Sequence, residues 1–245
     1  MKAEPARQLA LLDLQALDTR LSQLDHQQDT LPEHAALQKL QAQAQEADAE
    51  VVRLQAAHDD VQRELAKADA DVQLVRDRAA RDRQRLDAGV GSAKDLQGLQ
   101  HELESLGRRQ GVLEEVELEV MERAEGLESE LRSARERQAA VAAELAEVTR
   151  VRDEAAGRIG AEREQVAAGR ADLVATVGAD LVALYEKVRA HSGTGAAPLQ
   201  QRRCGGCQLE LNPVEINRIR TADEDEVLRC EECRRILVRT AESGV

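Results

Sequence analysis

Leu86-Asp-Ala-Gly-Val-Gly-Ser-Ala-Lys-Asp-Leu96 decides the fold. Gly89 or Gly91 can end a helix in the left-handed conformation, and Ser92-Ala-Lys-Asp95 has the form of a cap that opens the next one. A stop and a start this close together make a tight helix–helix turn. Before the turn, Leu37, Leu40, Ala44, Ala47, Val51, Leu54, Val61, Leu65, Ala68, Val72, Val75, Ala79 and Leu86 hold successive a and d positions, with His58 and Asp82 the polar exceptions. After it, a second seam runs through Leu96, Leu99, Leu103, Leu106, Leu113, Val120, Ala124, Leu127, Leu131, Ala134, Val141, Leu145, Val148, Ala155, Ile159 and Val166. Heptads sustained over such lengths predict supercoiled helices. Folding the chain at the turn (tip near 88–93) sets Leu37 opposite the region of Leu145, in an antiparallel hairpin with roughly 75 Å of coil at 1.5 Å per residue. An intermolecular coiled coil is the alternative; the short capped turn favours the hairpin and a monomer over a dimer.

Working outward, Leu14, Leu17, Leu21, Leu24 and Leu31 form an earlier apolar stripe that should lie opposite roughly 150–168. Pro32 interrupts it, and Thr30-Leu-Pro-Glu33 reads as a capping box with proline in the first turn, so a break is expected near 30–32. Past Val166 the heptad widens into Leu173, Val174, Val177, Leu181, Leu184 and Val188. The glycines and proline of His191–Pro198 mark a linker at 192–199. The division is therefore a helical hairpin over 1–191, the linker, and a small module over 200–242.

Composition agrees. Phe and Trp are absent from the 245 residues, Tyr185 is the one aromatic residue, and 33% of residues are charged. A coiled coil buries a narrow seam and needs no thick aromatic core. The net charge of −13 argues against binding a polyanion with the whole surface. No apolar run reaches the ~18–20 residues of a bilayer span, and Met1–Gln8 lacks the apolar core of a signal peptide. The expectation is a cytoplasmic protein, where reduced thiols favour zinc over disulfides.

All four cysteines lie in the C-terminal module, as Cys204-Gly-Gly-Cys207 and Cys230-Glu-Glu-Cys233. Each two-residue spacer lets one tight turn aim two sulfurs at one metal, and four thiolates close a tetrahedron around zinc. A redox dithiol would need a thioredoxin-like βαβ context. Catalytic zinc needs an open coordination position, which a closed set of four thiolates does not offer. Between the pairs, Leu209, Leu211, Ile216 and Ile219 are a candidate core, Asn212-Pro213 a helix start, and Val227-Leu228 and Ile236–Val238 candidate short strands. So few apolar groups cannot hold a forty-residue domain, so zinc must supply much of its folding free energy. Its removal is expected to unfold the ribbon and leave the hairpin intact.

With its tip Ser92-Ala-Lys-Asp-Leu-Gln-Gly-Leu-Gln-His-Glu-Leu103, its two cysteine pairs and Arg234-Arg-Ile-Leu-Val238, the chain resembles the bacterial four-cysteine zinc-ribbon proteins with a long N-terminal coiled-coil hairpin. The resemblance covers nearly the whole chain. It implies one structural zinc on Cys204, Cys207, Cys230 and Cys233, and a regulatory or adaptor role with nucleic acid and transcription-related proteins as partners. The family usually has Gly after its last cysteine, where this chain has Arg234. If that position needs positive φ, Arg costs about 1–2 kcal/mol there.

Two arginine groups are candidate contact surfaces. The ribbon carries Arg202, Arg203, Arg218, Arg220, Arg229, Arg234, Arg235 and Arg239, matched by as many acids over the same stretch. Segregated onto one face, they would make a phosphate-binding patch; interspersed, a solvated mixed-charge surface. Missing aromatics disfavour single-strand recognition by stacking. Below the tip, Arg76, Arg78, Arg81, Arg83 and Arg85, with Arg108 and Arg109 roughly opposite, are either a docking site or ordinary flanking charge.

The expected class is mostly α, a long antiparallel coiled-coil hairpin plus a small four-cysteine zinc ribbon with short β-strands. The expected function is a non-enzymatic zinc-binding adaptor, its hairpin binding protein partners and its ribbon contacting RNA, DNA or a nucleic-acid-associated protein. A purely protein-binding scaffold is the alternative. No nucleophile–base set, phosphate loop or carboxylate pair is visible, so neither catalysis nor a small-molecule substrate is expected.

Overall fold

The computed structural model of the protein describes residues 1–244. Helix α1 spans Pro5–Asp29, α2 Pro32–Asp87, α3 Ala93–Val177 and α4 Ala179–Ser192. Strands β1 (Ala196–Gln200) and β2 (Arg203–Cys204) follow, then α5 (Pro213–Thr221), β3 (Leu228–Arg229) and β4 (Ile236–Val238). The chain divides into two units: Ala35–Arg150, and Met1–His34 joined with the chain from Val151 onward.

The first of these is the coiled-coil hairpin. Its buried seam includes Leu37, Leu40, Leu54, Val61, Val72 and Val75 of α2 against Leu106, Val120, Ala124, Leu131 and Ala134 of α3. Leu54 packs with Leu131 and Ala134, and Val61 with Val120 and Ala124. Flanking pairs keep the antiparallel register: Gln138 to Asp48 at 2.7 Å, Arg135 to Gln55 at 2.6 Å, Arg123 to Glu64 at 2.8 Å and Arg76 to Glu114 at 2.6 Å. At the turn Gly89 and Gly91 take positive φ. The Ser92 N–H donates to Asp95 Oδ2 at 2.9 Å and the Asp95 N–H to Ser92 Oγ at 3.3 Å, which completes the reciprocal cap.

The second unit begins with the break between α1 and α2, where the sequence places it, but the expected capping box does not form. The Thr30 hydroxyl donates back to the His26 carbonyl at 2.6 Å, so Thr30 closes α1 and leaves Glu33 without its reciprocal partner. Helix α1 pairs antiparallel with the last part of α3, as expected, but the pairing runs past the expected limit near 168, with Arg163 donating to Asp25 at 2.8 Å and Arg170 to Asp18 at 2.6 Å. Gly178, at φ 85°, ends α3. Arg7 Nε donates to the Val177 carbonyl, left free at the end of α3, at 2.7 Å, and its guanidinium pairs with Asp180 in the first turn of α4.

The expected linker is a linker only at its start. Ala196–Gln200 is strand β1, one of the two inner strands of a four-stranded sheet of order β2-β1-β4-β3, parallel to β4 and antiparallel to β2. Both faces of this sheet are covered. Ala196, Ile236 and Val238 pack with Leu11, Leu14, Val177, Leu181 and Tyr185 from the helices. Ala197, Leu199, Leu228 and Leu237, alternating with them, pack with Leu211, Ile219 and the cysteines. The ribbon is thus not a module apart: its sheet is the shared wall between the helical core and the metal-side core. Leu209, expected in that core, is 51% exposed. The first residues add to the same structure, since the Ala3 N–H donates to the Asp225 carbonyl at 2.7 Å and the Val227 N–H to the Met1 carbonyl at 3.1 Å.

Candidate metal centre

Two turns of the same construction present the sulfurs. In the first, the Cys204 N–H donates to Leu209 O at 3.0 Å and the Gln208 N–H to Cys204 O at 2.8 Å. In the second, the Cys230 N–H donates to Arg235 O at 3.0 Å and the Arg234 N–H to Cys230 O at 3.0 Å. Each turn closes through a left-handed residue, Gln208 at φ 66° and Arg234 at φ 64°. The sequence-level condition on Arg234 is therefore met, and a non-glycine residue occupies a strained position in both knuckles.

What fills the first spacer differs from what fills the second. A Cβ on Gly206 would stand 2.6 Å from Arg235 Cδ and 3.1 Å from Ala197 Cβ, and one on Gly205 2.9 Å from the Pro198 carbonyl oxygen. The first knuckle lies flat against β1 and only Gly-Gly fits. The second carries exposed Glu231 and Glu232, and is held from below instead: the Glu231 N–H donates to the buried Glu215 carboxylate at 3.0 Å. Asn212 caps α5 by accepting the Glu215 N–H at 2.8 Å, so α5 is the element that aims Glu215 at the knuckle. The Asn212-Pro213 start was readable in the sequence; the role of Glu215 was not, because a glutamate in a first helical turn ordinarily faces water.

All four sulfurs lie within 4.8 Å of one another, with Cys204 Sγ 3.7 Å from Cys233 Sγ and Cys207 Sγ 3.9 Å from Cys230 Sγ. A zinc tetrahedron with Zn–S bonds near ~2.3 Å has sulfur–sulfur edges of roughly 3.8 Å, so the set fits one zinc. Burial pushes the Cys204 and Cys230 thiols up. Cys233 feels the same burial but is drawn down to about 7 by the backbone N–H and guanidinium of Arg235 and by neighbouring thiols. A divalent cation among them reverses the burial penalty and leaves four thiolates. With every ligand position taken by sulfur, its chemistry is structural.

The eight ribbon arginines separate by what they touch. Arg235 bonds Thr194 Oγ1 and the Ser192 carbonyl, and Arg239 the carbonyls of Ala222, Asp223 and Glu224; both tie loops together. Arg218 pairs with Glu231 at 3.7 Å, and Arg203 lies 3.9 Å from Glu210. Arg220 donates to Asn217 and Arg202 to the Gly244 carbonyl. Arg229 and Arg234 have no carboxylate partner among the described residues. Arg218, Arg229 and Arg234 share one depression, while Arg220 and Arg239 line another beside Pro5 and Gln8. Of the tip-proximal group, Arg76 pairs with Glu114, Arg78 with Glu102 at 2.7 Å, and Arg85 lies 3.9 Å from Asp82. Arg78, Arg81 and Arg109 line a depression with Glu102 and Leu106; Arg83 and Arg108 are outside it. Among the described residues, no helix is long and apolar enough to cross a membrane.

Known proteins of the same build exist. The chain is 41% identical over 239 residues to the uncharacterised protein Rv2229c of Mycobacterium tuberculosis, covering 98% of each. A solved structure from Mycobacterium smegmatis matches with a TM-score of 0.82 and 41% identity, covering 98% of this chain and all of that one. The structure of CT398 from Chlamydia trachomatis shares the fold at 21% identity, with a TM-score of 0.63 over 96% of this chain and 98% of that one. A C4-type zinc ribbon domain matches residues 203–237. With the CT398-like coiled coil hairpin domain matching residues 14–193, the chain belongs to the family of CT398-like hairpin proteins that end in a four-cysteine zinc ribbon.

Proposed function

We propose that the protein is a non-enzymatic zinc-dependent adaptor of a reducing, cytoplasmic compartment. Its coiled-coil hairpin is the surface for protein partners, and its ribbon contacts RNA, DNA or a nucleic-acid-bound protein. The observation that supports this most is that the metal site is closed by four sulfurs while Arg229 and Arg234, without carboxylate partners among the described residues, stand beside its second knuckle. The zinc holds a surface in place, and the surface is what the ribbon offers. Arg as a planar fork suits phosphate oxygens. Coupling of ribbon and helices through one shared core lets an event at the ribbon reach α1 and α4.

The test is binding of short RNA and DNA duplexes by the zinc-loaded full chain, followed by fluorescence anisotropy as salt rises. Affinity that falls with salt and drops further in Arg229→Ala/Arg234→Ala supports the nucleic-acid half. The second reading, a purely protein-binding scaffold, is favoured by the Arg203–Glu210 and Arg218–Glu231 pairs, which make much of the ribbon surface mixed in charge. Partners captured from lysate that survive nuclease treatment, together with no measurable duplex binding, would select it.

A further inference from the structure

Between the last turns of α4 and the second zinc knuckle lies a cavity of about 380 Å³. Lys187, Arg229 and Arg234 stand around it, and Leu184, Val188, His191, Ser192 and the zinc ligand Cys233 complete its wall. No carboxylate lines it. Lys187, Arg229 and Arg234 have no ion pair among the described residues, whereas Arg189, two residues along α4 from Lys187, lies 3.5 Å from Glu186. Arg229 is nonetheless held in place, since its Nε donates to the Arg234 carbonyl at 2.8 Å and leaves its remaining N–H groups free. These three cations face one depression, and apart from the Cys233 sulfur no group in its wall carries charge to balance them, so an anion placed among them is favoured.

The backbone bears on the choice of residue at position 234. Arg234 occupies φ 64°, a conformation that glycine adopts without cost and arginine does not. Gln208 holds the equivalent place in the first knuckle at φ 66°, so the turn imposes this conformation, and an arginine rather than a glycine at it is what sets the second knuckle apart. One candidate task is neutralising the zinc–thiolate cluster, since four thiolates around a divalent ion leave a net negative charge. Arg235 already does this, with its guanidinium on Cys233 and its Nε fixed by Thr194. Arg234 is left facing the cavity.

We propose that Lys187, Arg229 and Arg234 form a binding pocket for a phosphate group between α4 and the second knuckle. Arg229 and Arg234 supply the forked donors and Lys187 a point charge. Leu184 and Val188 give an apolar wall suited to the organic part of a phosphate ester. The phosphate can belong to a nucleic-acid backbone or to a free phosphorylated small molecule. The pocket therefore goes beyond the adaptor reading and does not fall with it.

The experiment titrates the zinc-loaded full chain with pyrophosphate by isothermal calorimetry, then with adenosine monophosphate and with a short single-stranded RNA. Saturable pyrophosphate binding is expected, weakened about tenfold or more by Arg234→Gly and by Lys187→Gln, the loss of one charge-assisted contact each. Arg234→Gly relaxes the backbone, so its loss of affinity is not a loss of fold, and its zinc content should equal that of the parent. RNA that competes with pyrophosphate assigns the pocket to a nucleic-acid phosphate. Binding of the mononucleotide but not RNA assigns it to a free ligand and removes the pocket from the nucleic-acid reading. Absence of saturable pyrophosphate binding, or unchanged affinity in both variants, overturns the proposal, as does an Arg234→Gly variant that loses zinc and keeps pyrophosphate.

Discussion

Tyr185, the one aromatic residue of the chain, donates its hydroxyl to the buried carboxylate of Asp18 at 2.7 Å. The same carboxylate accepts from Arg170 at 2.6 Å and lies 3.5 Å from Arg189, so one aspartate of α1 gathers α3 and α4. Next to it, the Gln15 amide oxygen accepts the Gly195 N–H at 2.6 Å, where the chain enters β1. A Cβ on Gly195 would stand 2.5 Å from Tyr185 Cε2, so ring and strand meet with no room between them.

Removing the hydroxyl in Tyr185→Phe should therefore lower stability by about 1–3 kcal/mol, the range for a buried hydrogen bond to a charged group. Asp18→Ala should cost more, about 2–4 kcal/mol, because it leaves the buried Tyr185 hydroxyl without its charged acceptor and takes from Arg170 and Arg189 the carboxylate they share, leaving them only Glu186. Burial and the Asp18 carboxylate push the Tyr185 phenol up, so its absorbance should show no phenolate below the pH at which the fold is lost. Urea denaturation of the three proteins measures the order; equal midpoints would contradict it.

Chelation of zinc offers a sharper test of how the two cores join. Because Ile236 and Val238 share a cluster with Leu11, Leu14 and Tyr185, loosening the ribbon exposes one wall of the helical core as well. Hydrogen exchange after chelation should accelerate in β1, β4, α5 and the zinc knuckles, and also in α4 and residues 8–15. Exchange between residues 48 and 138 should stay as in the holo-protein, since that seam is self-contained. Acceleration confined to 200–242 would restore the picture of an independent ribbon.

That picture rests on reading His191-Ser-Gly-Thr-Gly-Ala-Ala-Pro198 as linker, which its composition invites. Ala196–Gln200 has little intrinsic strand preference, and becomes a strand because β4 offers it a parallel edge far along the chain. Asp18 and Gln15 were hidden for a similar reason: they look like the polar side of an amphipathic helix, and only the packing of α4 and Gly195 buries their neighbourhood. What the sequence does carry is periodic or local. The two heptad seams, the Gly89–Asp95 turn and the cysteine spacing each state their geometry within a few residues, and each is found where expected. Thr30 shows the boundary of such reading, since its hydroxyl had two local partners and took the one behind it.

Arg234→Gly and Gln208→Gly address the left-handed knuckle positions directly. Each should stabilise the zinc-loaded protein by about 1 kcal/mol by relieving the Cβ penalty, less the unfolded-state entropy that glycine adds. Thermal unfolding at fixed zinc concentration is the measurement. A lower midpoint in either variant would mean that its side chain contributes more to the fold than its backbone costs.

The last prediction concerns the hairpin turn. Asp95 accepts from the Ser92 hydroxyl at 2.7 Å and from the Ser92 N–H at 2.9 Å, and these bonds, the hydroxyl first, hold its carboxyl below the ordinary 3.8. A carboxylate with a depressed folded value stabilises the folded state fully above its unfolded pKa, and that contribution disappears as pH falls through the folded one. The turn should accordingly be insensitive to pH from neutrality down to about 4, near the unpaired value, and begin to fray only below it. Carboxyl chemical shifts of Asp95 would report this, with Ser92→Ala moving its midpoint upward toward the unpaired value. An identical midpoint in parent and variant would show that the cap seen in the structure does not hold in solution, and the turn would then rest on Gly89 and Gly91 alone.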